Sequence, residues 1–167
     1  MGVTRGIKMN EQFEFFWRGP FSQWYPSTFT VNGKTFNCAE QYMMYSKAVL
    51  FGDSKTAYDI MISTNPKEQK KLGRLVVGFD ADQWNDVAQD VVYIGNEAKF
   101  TQNPTLLKTL KSTGTKVLVE ASPYDFIWGI GLDEVTARTI PSDKWPGTNL
   151  LGKVLTQLKE DLSEPSL

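Results

Sequence analysis

Apolar positions change their period along this chain. FEFFW (13–17) is a short β pattern, and TFTV-NG-KTF (28–36) sets two β-rich runs around Asn32-Gly33, the dipeptide of a tight hairpin. Between them GPFSQWYPS interleaves aromatics with turn formers. Helical patterns then take over. Helices are expected from about Asn37 to Phe51, from Asp53 to Ser63, from Asn65-Pro66, from Asp80 past Lys99, and from Asn103-Pro104 to a stop at Gly114. KVLVEA (116–121) reads as a strand, and Ser122-Pro123 as the cap and first residue of another helical turn. In the last helix, from about Thr148, Leu150, Leu151, Val154, Leu155, Leu158 and Leu162 recur at helical spacing. Helices dominate and strands are few. The expectation is a mostly helical α+β fold, one domain over residues 1–167, with a small β-hairpin or antiparallel sheet and residues 1–11 as a disordered tail.

One predicted helix is not amphipathic. In FNCAEQYMMYSKA (36–48) the turns are apolar nearly all round, and Glu40 and Lys47 are the only charges. Two readings of Glu40 stand side by side. Asn37 with Glu40 three residues on has the spacing of a capping box, and Lys47 would then reach out to water. Alternatively Glu40 is a carboxylate held inside for chemistry. Seven residues are two turns, so Glu40 and Lys47 share a face at ~10 Å along the axis and could flank a sugar.

Composition removes whole classes of chemistry. The 167 residues are 41% apolar, 13% aromatic and 22% charged, with a net charge of −1, as expected for a globular domain without bulk attraction to nucleic acid or membrane. No apolar run is long enough to span a bilayer, the N-terminal stretch lacks a signal-peptide core, and one cysteine excludes an internal disulfide; a cytoplasmic protein is expected. There is no histidine, hence no Ser-His-Asp triad and no imidazole ligand, and Cys38 alone cannot build a thiolate zinc site. No metal or cofactor is expected. Acid and base work falls to Asp, Glu, Lys or Tyr. P-loop and dinucleotide-binding patterns are also missing.

Other stretches place polar or aromatic residues where packing does not ask for them. Phe21, Trp24 and Tyr25 could stack on a flat base or lid the core. In SPYDFIWGIG (122–131), Asp125 sits where a capping box would put it, while Trp128 beside Gly129 and Gly131 suits close approach of a ligand. Gly147 to Gly152 carries the start of the last helix, where Thr148 or Asn149 could offer free N–H groups to an anion; Gly152 fits either ligand approach or close packing. Lys99 reads as a phosphate contact or a solvated charge.

Taken in order, these elements resemble the NADAR superfamily, also called YbiA-like, over nearly the whole chain. They are Phe-Ser-x-Trp-Tyr, Ala39-Glu40-Gln41 with Lys47-Ala48, Leu72-Gly73-Arg74, Ala98-Lys99-Phe100, Asp125-x-x-Trp128-Gly129-x-Gly131 and Asn149-x-Leu151-Gly152. The resemblance implies an N-glycoside hydrolase that needs no cofactor. Its substrate would be a small-molecule or nucleic-acid-linked ADP-ribose or ribosyl-phosphate compound, with ADP-ribosyl-guanine the leading type. Phosphorylated riboflavin-pathway intermediates are the alternative substrate, and a non-catalytic ADP-ribose-binding module the alternative class. No membrane and no obligate protein partner is implied. Glu40 and Asp125 become the catalytic candidates. Phe21, Trp24, Tyr25, Lys47, Lys99, Trp128, Gly129, Asn149 and Gly152 become the substrate-binding candidates. One departure stands out: in the riboflavin-linked branch the glutamate is followed by His, and here by Gln41.

Overall fold

The computed structural model describes residues 12–163, so the expected tail at 1–11 lies outside the described residues. The chain divides into two compact units, Gln23–Leu107 and the flanking segments up to Ser22 and from Lys108 onward. We call them the central and the flanking unit.

The central unit opens with the expected hairpin, β2 (Phe29–Val31) and β3 (Lys34–Phe36), paired antiparallel. Asn32 and Gly33 sit at φ 50° and 80°, the left-handed pair of a tight turn. Phe29 and Phe36 face each other across the ladder with ring centroids 5.8 Å apart, and both are buried. Four helices complete this unit: α1 (Ala39–Leu50), α2 (Ser54–Ile62), α3 (Pro66–Gly73) and α4 (Ala81–Thr101). Asp53, Asn65 and Asp80 cap the last three by accepting a backbone N–H, as their positions before each helical run foretell. α1 lies against α2, α3 and α4. That environment on several sides is why its sequence shows no polar face.

The flanking unit contains β1 (Phe13–Phe16), most of α5 (Pro104–Ser112), β4 (Val117–Glu120), the short α6 (Glu134–Ala137), one 3-10 turn (Ser142–Lys144) and α7 (Leu150–Ser163). β1 and β4 pair in parallel, from Phe13 opposite Val117 to Phe16 opposite Glu120. This second two-stranded sheet adds a parallel pair to the expected antiparallel one. Glu14 comes within 3.7 Å of Lys116 at its open end. α7 packs its leucines on β4, and Leu118, Leu151, Leu155 and Leu158 have no exposed surface. A second cluster joins Val119, Ile130 and Ala137 to Phe13, Phe15 and Trp145. Lys159 is buried among these elements and donates to Thr113 Oγ1 and the Lys116 carbonyl.

The helical turn expected at Ser122-Pro123 is absent; residues 121–130 form a looped turn. Ser122 Oγ accepts the Tyr124 N–H and Asp125 Oδ1 accepts those of Ile127 and Trp128, so side chains close the turn locally instead of starting a helix. No helix among the described residues is long and apolar enough to cross a membrane.

Candidate active site

The site residues of the central unit gather around the start of α1. Cys38 is the N-cap, extended at φ −166°, and makes no side-chain cap. The box expected at Glu40 does not form. Gln41 Oε1 accepts the Asn37 N–H at 2.8 Å, while Gln41 Nε2 donates to the carbonyls of Ile60, Met61 and Ser63. The helix starts at Ala39, so Gln41 is the third helical residue, but the N–H it accepts belongs to Asn37, one residue before the Cys38 N-cap, and no reciprocal capping box forms. Glu40 is therefore buried without being the cap. It is 6% exposed, and its own N–H donates to the Gln23 carbonyl at 2.9 Å.

Lys99, expected as a phosphate contact or a solvated charge, has no exposed surface at all. Burial pushes its ammonium down to about 7, with neighbouring Cys38 acting in the opposite direction. Its Nζ lies 4.9 Å from the Phe100 ring centroid and 5.9 Å from that of Tyr25. Cys38 feels the field of both Glu40 and Lys99, but burial dominates and pushes its thiol up to about 11, leaving an inert sulfur beside Gln69. Lys47 is half-buried, 4.6 Å from the centre of the Phe79 ring. Burial lowers its pKa, Glu40 raises it, and Arg74 lowers it again. Thus Glu40, Lys47 and Arg74 share one field, and Lys99 acts on the same cysteine as Glu40. Trp24 is 41% exposed and Tyr25 is partly exposed.

Asn96 and Gln23 stand out only in the structure. Asn96, one turn before Lys99 on α4, is fully buried and donates to Gln23 Oε1 at 2.8 Å and to the Val92 carbonyl at 2.9 Å. The sequence does carry a trace of them. Val92, Gly95, Asn96 and Lys99 occupy one helical face, and the last two are polar where the register asks for core. A separate groove of about 480 Å³, lined by Lys34, Tyr42, Tyr45 and Trp84 among others, is bordered by none of the predicted site residues.

In the flanking unit the expected residues are largely committed to the protein itself. Phe21 is 7% exposed and sits edge-on to Phe16 at 5.6 Å, so its ring serves the core rather than a stack. Free N–H groups at Thr148-Asn149 are not found: the N–H groups of 148, 149, 150 and 151 donate to the carbonyls of Phe126, Gly129, Ile127 and Trp128. Asn149, left-handed at φ 54°, turns its side chain onto β4, accepting the Glu120 N–H and donating to the Leu118 carbonyl. Packing also explains both glycines. A Cβ at Gly152 would strike the Leu118 carbonyl and the Asn149 amide, and one at Gly129 would lie 2.8 Å from Glu120 Oε2. Asp125 Oδ1 is held by the two N–H groups of its own turn. The ring of Trp128 is only partly buried. Trp128→Ala is expected to weaken ligand binding at least tenfold while costing less than the roughly 3–5 kcal/mol of a core Trp truncation; urea denaturation alongside calorimetric titration checks both, and a core-sized loss with unchanged affinity removes Trp128 from the site.

Among the described residues no group of three or more His, Cys, Asp or Glu side chains could hold a metal ion. The arrangement offers instead a buried carboxylate, a buried amine that exchanges its proton near neutrality, a second lysine beside an arginine, and an exposed indole.

Known proteins are similar to this chain over most of its length. "N-glycosidase R617" of Acanthamoeba polyphaga mimivirus is 49% identical over 146 residues, covering 84% of this chain and 86% of that protein. The maize riboflavin biosynthesis protein PYRR is 32% identical over 157 residues, which are 86% of this chain but 23% of that longer protein. The NMR structure of the E. coli protein YbiA superposes with a TM-score of 0.75 at 27% identity, covering 91% of this chain and 85% of that one. The NADAR domain model matches residues 15–163, and the chain belongs to that family.

Proposed function

We propose that this chain hydrolyses the N-glycosidic bond between an ADP-ribosyl group and a nucleobase-like amine, of the ADP-ribosyl-guanine type. The class of reaction, N-glycoside hydrolysis, has the support of family membership and of a 49% identical relative named as an N-glycosidase. The observation that carries the reading is the burial of Glu40 and Lys99, with Lys99 brought to about 7. Cleavage of a C–N glycosidic bond builds positive charge on the anomeric carbon and negative charge on the leaving nitrogen. Glu40 stabilises the first and then takes a proton from the attacking water, whose oxygen bonds to the carbon. Lys99 gives its proton to the departing nitrogen, a task suited to a group that titrates near working pH. Lys47 and Arg74 would take the phosphates, and Trp24 would stack on the flat base.

The riboflavin biosynthesis relative favours a second substrate, a phosphorylated riboflavin intermediate. Gln41 weighs against it. Where the riboflavin-linked pattern has His, this side chain spends its carboxamide on four backbone groups. The deciding experiment is mass spectrometry of products after incubation with ADP-ribosyl-guanosine and, separately, with early riboflavin intermediates. Release of guanosine and ADP-ribose from the first alone is expected. Turnover of the second alone would replace the substrate. With no turnover of either, a melting-temperature rise in ADP-ribose, about 2.7 kcal/mol of stabilisation at 100 times its dissociation constant, would make the chain a binding module.

A further inference from the structure

The one buried side-chain oxygen or nitrogen without a hydrogen-bond partner among the described residues is Asn96 Oδ1. Its orientation is fixed. Both protons of the same carboxamide are spent, one on Gln23 Oε1 and one on the Val92 carbonyl. Flipping the amide would set oxygen against the Val92 carbonyl oxygen, which can only accept, so the network itself decides which atom is the oxygen. Leaving a buried acceptor unmade is costly, and a folded protein keeps one where something else completes it.

The surroundings say what. Asn96 is one turn from Lys99 on the same face of α4. Gln23, which it holds through the side chain, offers its backbone carbonyl to the N–H of Glu40. Asn96 is thus tied through Gln23 to Glu40, the group assigned to the anomeric carbon, and lies one turn from Lys99, the group assigned to the nitrogen bonded to that carbon; the sugar donor nearest the carbon is the 2-hydroxyl. A hydrogen bond accepted from this hydroxyl loads electron density onto the oxygen next to the developing cation and strengthens in the transition state. We propose that Asn96 Oδ1 is a specificity-determining acceptor for the 2-hydroxyl of the ribose whose glycosidic bond is cut, so that the site selects ribosyl over 2-deoxyribosyl compounds. The inference rests on the proposed function, since it takes Glu40 to face that carbon and Lys99 the nitrogen leaving it.

The test is isothermal titration of the whole protein with ADP-ribose and with its analogue lacking the 2-hydroxyl on the distal ribose. The wild type is expected to bind ADP-ribose about tenfold or more tightly than the analogue. Asn96→Leu, of similar size and without the acceptor, is expected to bind the two alike, whatever its absolute affinity. Equal binding of both compounds by the wild type overturns the proposal without any variant and assigns Oδ1 to an internal water. Discrimination that survives in Asn96→Leu also overturns it. If Asn96→Leu does not fold, the wild-type ratio still decides. Failure of the wild type to bind either compound is a different pattern: it sinks the ADP-ribosyl reading, and this inference with it.

Discussion

Lys99→Met is expected to lower turnover by at least two orders of magnitude and to raise the melting temperature more at pH 6 than at pH 9. The sign follows from burial. In the unfolded chain the amine keeps its ordinary value near 10.5, whereas in the fold burial brings it to about 7. Below 7 both states are protonated, and the fold carries the full cost of a buried ammonium. Between 7 and 10.5 the fold releases the proton while the unfolded chain retains it, so stability rises with pH across that window. The whole span corresponds to about 5 kcal/mol as an upper bound. Methionine has similar length and no charge, so its advantage is largest where the wild type is penalised most. An equal gain at both pH values would mean that Lys99 is not desolvated in solution. In turnover, a proton donor of this kind gives a limb that falls above about 7 and vanishes in Lys99→Arg, which stays protonated. A rising limb, with an adduct trapped by borohydride, would instead make the neutral amine a nucleophile.

Glu40→Gln is expected to remove at least a hundredfold of turnover with little change in melting temperature. The backbone N–H of Glu40 already has its acceptor in the Gln23 carbonyl, and the Asn37 N–H ahead of the helix is taken by Gln41. Glutamine keeps the volume and loses only the charge that a cationic transition state needs; losses of 10²–10³ are usual when one such group goes. Near-normal turnover in a normally melting variant would leave Glu40 a structural residue.

Much of the fold was legible because local chemistry fixes it. Asn32-Gly33 names its own turn, and Asp53, Asn65 and Asp80 each precede a helical run and cap it in the structure. The misses have physical causes. At Ser122-Pro123 a cap-like sequence closed a turn with side chains, a competition that spacing alone does not resolve. The pairing of β1 with β4 is a contact between distant segments, which no local pattern encodes. Within the candidate site, Glu40 is legible as a lone carboxylate on an apolar helix, but the helix begins at Ala39, after Cys38, and it is Gln41 that takes the Asn37 N–H. Lys99 was visible as a residue and not as a buried one. Asn149 and Gly152 drew notice for a real constraint, which proves to be contact with β4 rather than room for an anion.

Because β1 finds its partner in β4, the strand made first waits for one made about a hundred residues later. At ~5 to 20 residues per second this is a delay of ~5 to 20 s, during which the whole central unit has emerged and can close. Through that interval FEFF leaves the ribosome as a short, aromatic, unpaired edge, the kind of segment that seeks other chains. Its one charge is Glu14. In the finished protein Glu14 and Lys116 are half-exposed, and such a pair adds little. Before β4 arrives, the carboxylate is the one charge on this segment that would oppose pairing with another nascent chain.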